Sequence, residues 1–223
     1  CFNGISSNYK YDFTNEKEIS ILWDASYLGN YTRENYSPKA LFSSTIGDEL
    51  KIASKGRSDV YAIAPNVEAA ILSAGHAANG AFWIDNLNGK WATTTYYKSV
   101  PWYVERYNSG NESLSARLDK MVWTPSLPLE KLNAFPYTLD EIPFKYTFNE
   151  RDVACYPRLK TTPFVNKEVN RLAMQFLEYA GFGTRTSPDM LSVTYYAGNF
   201  VGNMNKEYTH EIQDTYCQLD KDI

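Results

Sequence analysis

A chain of 223 residues with 43% hydrophobic and 22% charged side chains can build a sizeable core and is too apolar to be disordered. Its formal net charge of −4 excludes broad binding to duplex nucleic acid, which needs a basic surface that displaces counterions. No run approaches the roughly 20 apolar residues needed to span a bilayer, so no transmembrane segment is expected. The opening Cys1-Phe2-Asn3-Gly4-Ile5 lacks the basic start and apolar stretch of a secretion signal; if the protein is exported, that signal lies upstream.

In chain order, residues 1–108 alternate strand and helix patterns. Ser44 to Ala53 reads as a capped helix with an acidic first turn, Ile46, Leu50 and Ala53 on one face, and Gly56 as its stop. Val60-Tyr61-Ala62-Ile63-Ala64 suits a buried parallel strand, and Val67 to Ala74 a short helix ended by Gly75. Gly80 to Asp85, the turn Asn86-Leu87-Asn88-Gly89, and Trp91 to Tyr97 predict a hairpin. Pro101 starts another helix. Residues 109–162 carry Pro125, Pro128, Pro136, Pro143 and Pro157 with weak periodicity, the texture of an irregular insertion or cap.

Residues 163–223 return to regular texture. Val169, Leu172, Ala173, Phe176, Leu177 and Ala180 form one helical stripe before Gly181, and Met190 to Tyr195 reads as a strand. A last helix from about Lys206 carries Ile212, Tyr216, Leu219 and Ile223. Its stripe still runs at the final residue, which predicts that the chain continues in a parent protein. The element order predicts an α/β fold: a partial core sheet flanked by helices, with the Pro-rich cap above it.

Chemistry is hard to find by spacing alone. No phosphate-cradling loop, dinucleotide fingerprint or nucleophile elbow is present. Cys1, Cys155 and Cys217 are too few and dispersed for a disulfide framework and read as plain thiols. His210 and Asp214 lie one helical turn apart and could share a metal, but read as a solvated pair on a polar face. Asp48-Glu49 reads as a helix start and Asp220/Asp222 as a solvated helix end, not as opposed acid/base carboxylates. His76, in a loop, is a candidate site residue. The 18 Tyr, 11 Phe and 5 Trp suit ligand or partner contacts, since such rings add area while their polar tips stay wet.

Four stretches are familiar together: Ser37 to Leu41 running into Ser44 to Lys51; Ala69 to His76 followed by Gly80 to Asp85, Gly89-Lys90-Trp91 and Thr95-Tyr96-Tyr97; Thr162-Pro163-Phe164-Val165-Asn166; and Gln213 to Asp222. Their order and spacing resemble the alkaline phosphatase superfamily, in particular Bacteroidetes-type single-chain alkaline phosphatases and the nucleotide pyrophosphatase-phosphodiesterases. The resemblance implies a periplasmic or cell-surface bacterial protein. It also implies phosphate-ester hydrolysis by two zinc ions and a threonine or serine nucleophile, the metals polarising phosphoryl oxygens and activating the attacking oxygen. It places the nucleophile and first aspartate ligand before Cys1, and other ligands after Ile223.

Within the chain, the resemblance exposes departures. A family motif of the type Ser-x-Thr-Asp-x-x-Gly-His supplies two zinc ligands; here Ser192-Val193-Thr194-Tyr195-Tyr196-Ala197-Gly198-Asn199 puts Tyr195 at the aspartate and Asn199 at the histidine. A phenol of pKa about 10 and a neutral amide are poor zinc ligands. Family monoesterases grip phosphate with the Lys and Arg of Lys-Asp-Arg-Gly-Ala; here Asn66 and Glu68 occupy those positions. The expectation is therefore a catalytically inactive alkaline-phosphatase-like protein, without zinc in this chain, that binds an unidentified ligand or protein through its aromatic cap. The alternative is an incomplete piece of an active zinc-dependent phosphatase or phosphodiesterase, in which Asn66 and Glu68 mark substrate class.

Overall fold

The computed structural model describes residues 3–127, 144–149, 152–197 and 209–223. Its centre is a five-stranded mixed sheet of β3 (Gly29–Asn30), β4 (Val60–Ala64), β5 (Gly80–Ile84), β6 (Trp91–Thr94) and β9 (Met190–Val193), in the order β3-β6-β5-β4-β9. β4 runs parallel to both β5 and β9, whereas β5 pairs antiparallel with β6. β1 (Tyr9–Asp12) and β2 (Lys17–Ser20) form a separate hairpin. β7 (Val122–Trp123) and β8 (Tyr146–Thr147) form a third small sheet.

The unbroken apolar run of β4 makes sense at this position, because a central parallel strand has helices on both faces. Alternation divides its side chains. Ile63, with Phe82, Ile84 and Trp91, packs on α3 (Trp102–Ser109) and α6 (Phe164–Tyr179) through Val104, Val169, Leu172 and Phe176. Ala62, Ala64, Ala81 and Ala92 face α2 (Val67–Ala74), which presents Ala70, Ile71 and Ala74. Small residues on both sides of this second layer let helix and sheet approach closely. The βαβ unit β4-α2-β5, the hairpin and the expected helix stops are all present. Gly75 ends α2 at φ 76°, and a side chain there would run into Thr45 and Asp48.

Helix α1 (Ile46–Ala53) has the expected cap: Thr45 Oγ1 accepts from the Asp48 N–H and the Asp48 carboxylate accepts from the Thr45 N–H. Its docking face differs from the apolar pattern. Ile46 and Ala53 are exposed, while Gly47, Asp48 and Ser54 are buried. The reason is close approach, since a Cβ on Gly47 would lie 2.7 Å from Val60. In α6 the predicted stripe is buried at Val169, Leu172, Ala173 and Phe176, while Leu177 is 54% exposed and Ala180, just past the helix end, is half-buried.

α7 (Thr209–Asp222) reverses expectation more strongly. Tyr216 and Ile223 of its apolar stripe are exposed, and Glu211, Asp214, Thr215 and Gln218 are buried. Asp214 is thus no solvated partner of His210. Its carboxylate accepts from Trp123 Nε1 at 2.7 Å, from the Ser126 N–H at 2.7 Å and from Gln218 Nε2 at 2.6 Å.

Among the described residues between 109 and 162, α4 (Leu114–Arg117) and α5 (Cys155–Leu159) supply Leu114, Cys155, Tyr156 and Leu159 to the same cluster as Ile63. The aromatic side chains Trp123, Phe148 and Tyr156 point inward with them. Phe144 and Tyr146 of the same zone are half-buried. Exposed rings lie on the first hairpin and after it, at Tyr9, Tyr11, Phe13 and Trp23, and also at Phe42, Trp102, Tyr179 and Tyr216. Residues 128–143 of that zone lie outside the described residues. No helix among the described residues is long and apolar enough to cross a membrane.

Candidate functional site

In an open α/β sheet, ligands gather outside the carboxyl ends of the parallel strands. Here those ends lead into Asn66 and Glu68 after β4, Asp85 and Asn86 after β5, and Tyr195 and Tyr196 after β9. A cavity of about 350 Å³ opens beside them, lined by Asn66, Glu68, Asp85, Asn86 and Lys160 together with Glu34 and Tyr36 from the first zone.

Asn66 is the N-cap of α2, but its side chain does not cap the helix. Instead Asn66 Nδ2 donates to the Tyr196 hydroxyl at 2.5 Å. Tyr196 is held by α6: its N–H donates to Asn166 Oδ1 at 2.8 Å and its carbonyl accepts from Asn166 Nδ2 at 2.7 Å. The Tyr195 hydroxyl donates to Asn170 Oδ1. Burial pushes both phenols up, with Asp222 adding to the rise at Tyr195 and Glu68 at Tyr196, so both stay neutral. Asn199 lies outside the described residues.

Glu68 falls in the first turn of α2, where the helix dipole favours a negative charge. That local preference consumes the positive end of the helix, which could otherwise have held an anion. Among the described residues, Glu34, Glu68 and Asp85 give the cavity three carboxylates against one ammonium, that of Lys160.

Lys160 was not signalled by sequence. It sits 74 residues from Asn86, and only folding brings its Nζ to within 2.6 Å of both the Ile84 carbonyl and Asn86 Oδ1. Burial pushes its amine down to about 8, against the opposing pull of Asp85 and Glu68. The folded value lies below the ordinary 10.5, so between these pH values the unfolded chain holds the extra proton and stability rises with pH. Wild type is accordingly expected to gain melting temperature relative to Lys160→Met from pH 8 to pH 10. A wild-type-minus-variant difference that stays flat across this window would refute the assignment.

His76 stands at the other end of the sheet, before β5. Its Nδ1 lies 3.2 Å from the Asp48 carboxylate and its Nε2 lies 2.9 Å from the Leu41 carbonyl oxygen. Asp48 Oδ1 also accepts the backbone N–H groups of His76 and Ala77. Burial pushes the Asp48 carboxyl up, but the Ala77 and Thr45 backbone donors and the His76 side chain outweigh it and bring it below its usual value. Both imidazole nitrogens are thereby engaged, one with α1 and the other with the Leu41 segment that precedes it, away from Asn66 and Glu68.

No protein-family model matches the chain. Its fold matches the crystal structure of wild-type alkaline phosphatase PafA with a TM-score of 0.79 and 29% identity, over 99% of this chain and 45% of that one. In sequence and fold the chain is similar to a segment of the alkaline phosphatases. Among curated relatives it is 29% identical over 240 residues to alkaline phosphatase PhoV of Synechococcus elongatus, covering all of this chain and 43% of the relative. It is 28% identical over 239 residues to PafA of Elizabethkingia meningoseptica, covering 99% of this chain and 43% of the relative. A protein of Myroides odoratus named as a calcium-transporting ATPase is 32% identical over 203 residues, covering 84% of this chain and 36% of the relative. The chain thus spans less than half the length of these relatives.

Proposed function

We propose that this segment comes from an alkaline-phosphatase-like protein that has given up zinc-dependent monoester hydrolysis and acts by binding. The observation that carries this reading is the charge of the strand-end cavity. Where the family resemblance calls for a lysine and an arginine to grip phosphate, Asn66 is engaged by Tyr196 and Glu68 contributes a carboxylate. A dianionic phosphate brought beside three carboxylates and a single ammonium meets net repulsion, strongest in a site shielded from water.

The donor chemistry around β9 supports the same reading. At the position of the family's zinc-binding aspartate stands Tyr195, whose hydroxyl is committed to Asn170. A neutral phenol so placed does not suit zinc, which takes thiolate, imidazole or carboxylate donors. The two zinc ions implied by the family therefore do not fit the residues of this segment. A periplasmic or cell-surface location in a bacterium belongs to the same proposal.

Zinc analysis and turnover of an aryl phosphate by the intact protein test this reading together. Zinc well below one ion per chain, with hydrolysis at the buffer background, is expected. Stoichiometric zinc accompanied by monoesterase turnover would overturn it and favour the active, incomplete-segment alternative.

A further inference from the structure

A second cleft lies on another side of the molecule, between the α4–β7 connection and the start of α6. It encloses about 350 Å³, and its charged lining consists of Arg117, Lys120, Lys167 and Arg171. Met121, Val122 and Phe164 supply the apolar lining. Among the described residues no carboxylate lines it, in a chain whose net charge is −4. Four cations in one cleft repel one another and are retained most readily where an anion relieves the repulsion.

The four differ in how far they are already neutralised. Arg117 is matched by the buried Glu168. Lys167 donates only to a neutral acceptor, Gln218 Oε1 at 2.9 Å, and its ammonium sits 5.9 Å from the centre of the Phe164 ring. Lys120 and Arg171 are exposed and pair with no carboxylate among the described residues. Three cationic heads are thus available around an apolar wall that includes an aromatic ring and a thioether. Small-molecule sites have this composition, mostly apolar with a few polar groups that fix orientation, and this volume is at the lower end of their range. Phe164, Lys167 and Arg171 share one face of α6, spaced i, i+3 and i+7. Asn166 and Asn170, which hold Tyr196 and Tyr195, occupy a different one.

We propose that this cleft binds a small organic phosphate, with Lys120, Lys167 and Arg171 around the dianionic head and Met121, Val122 and Phe164 against its apolar body. The guanidinium of Arg171 offers the fork geometry that matches phosphate oxygens, and the two lysines add point charges. The volume suits a ring or a short chain.

Calorimetric titration of the intact protein at pH 8 with phenylphosphonate, a non-hydrolysable probe, tests the site. Phenylphosphonate is expected to bind at least about tenfold more tightly than inorganic phosphate, since burying its apolar body adds a hydrophobic contribution. Benzyl alcohol, which lacks the charge, is expected not to bind measurably. The double variant Lys120→Ala/Arg171→Ala, at two exposed positions, is expected to keep its fold by circular dichroism and to lose at least about tenfold in affinity. Asn66→Asp is expected to leave the affinity as it is. Equal binding of phosphate and phenylphosphonate, binding of the alcohol, or an undiminished affinity in the double variant would overturn the proposal. So would a loss of affinity in Asn66→Asp, which would move the ligand to the strand-end cavity.

Discussion

Arg117→Met is expected to cost the intact protein about 3–5 kcal/mol of stability, because it strands a buried carboxylate. The Glu168 side chain is only 1% exposed, and it is held by Arg117 and by the Tyr107 hydroxyl, which donates at 2.7 Å. Arg117 also donates to the Tyr107 oxygen at 3.0 Å, closing a three-member network between α3, α4 and α6. Burial pushes the Glu168 carboxyl up even with Arg117 and Tyr107 pulling it down. Without the guanidinium it rises further, so the folded state binds a proton that the unfolded chain releases, and stability falls as pH rises. The deficit is therefore larger at pH 7 than at pH 5. Arg117→Met combined with Glu168→Leu is expected to recover most of the loss, since no unpaired charge is left behind. Urea unfolding of the three proteins decides the matter; a single variant no worse than the double would show that the buried pair has no such role.

Asp214→Ala is the second large effect, at about 3 kcal/mol or more, because several donors lose one buried acceptor together. Trp123 Nε1, the Ser126 N–H and Gln218 Nε2 all converge on this carboxylate. Asp214→Asn keeps one acceptor oxygen and is expected to lose less. Thermal melts of the two variants test the ordering. If Asp214 served instead as a metal ligand with His210, the alanine variant would change metal content while leaving the metal-free melting temperature untouched.

Much of the sheet could be read from local pattern. The run Val60 to Ala64, the Asn-Gly turn before Trp91, and the glycine stops at Gly75 and Gly181 are signals carried by residues near one another, and each element formed where they predicted. The helix faces were less legible. Ile46, Leu177, Tyr216 and Ile223 look like core positions by hydrophobicity but are exposed. The docking surfaces of α1 and α7 are made of a glycine and polar groups, because those helices are held by close approach and hydrogen bonds rather than by apolar area. Periodicity weighs hydrophobicity alone and cannot register a buried Asp48 or Asp214 whose partners lie far along the chain.

The candidate site divides the same way. Asn66, Glu68 and Tyr195 stand out in the sequence through their departure from a familiar motif, and their charges and donor chemistry belong to the residues wherever they lie. Lys160, Asn166 and Asn170 gave no such signal, and nothing local distinguishes them from solvent-facing polar residues.

What the sequence determined by itself is the identity of the groups available to the strand ends: the amide of Asn66, the carboxylate of Glu68 and the phenol of Tyr195. Only the tertiary structure decided which of these are already committed to one another and which cations gather at the cleft of Lys120 and Arg171. The reason is physical. Ionisation chemistry is a property of a side chain, whereas burial and pairing depend on contacts between residues that the chain brings together only when it folds.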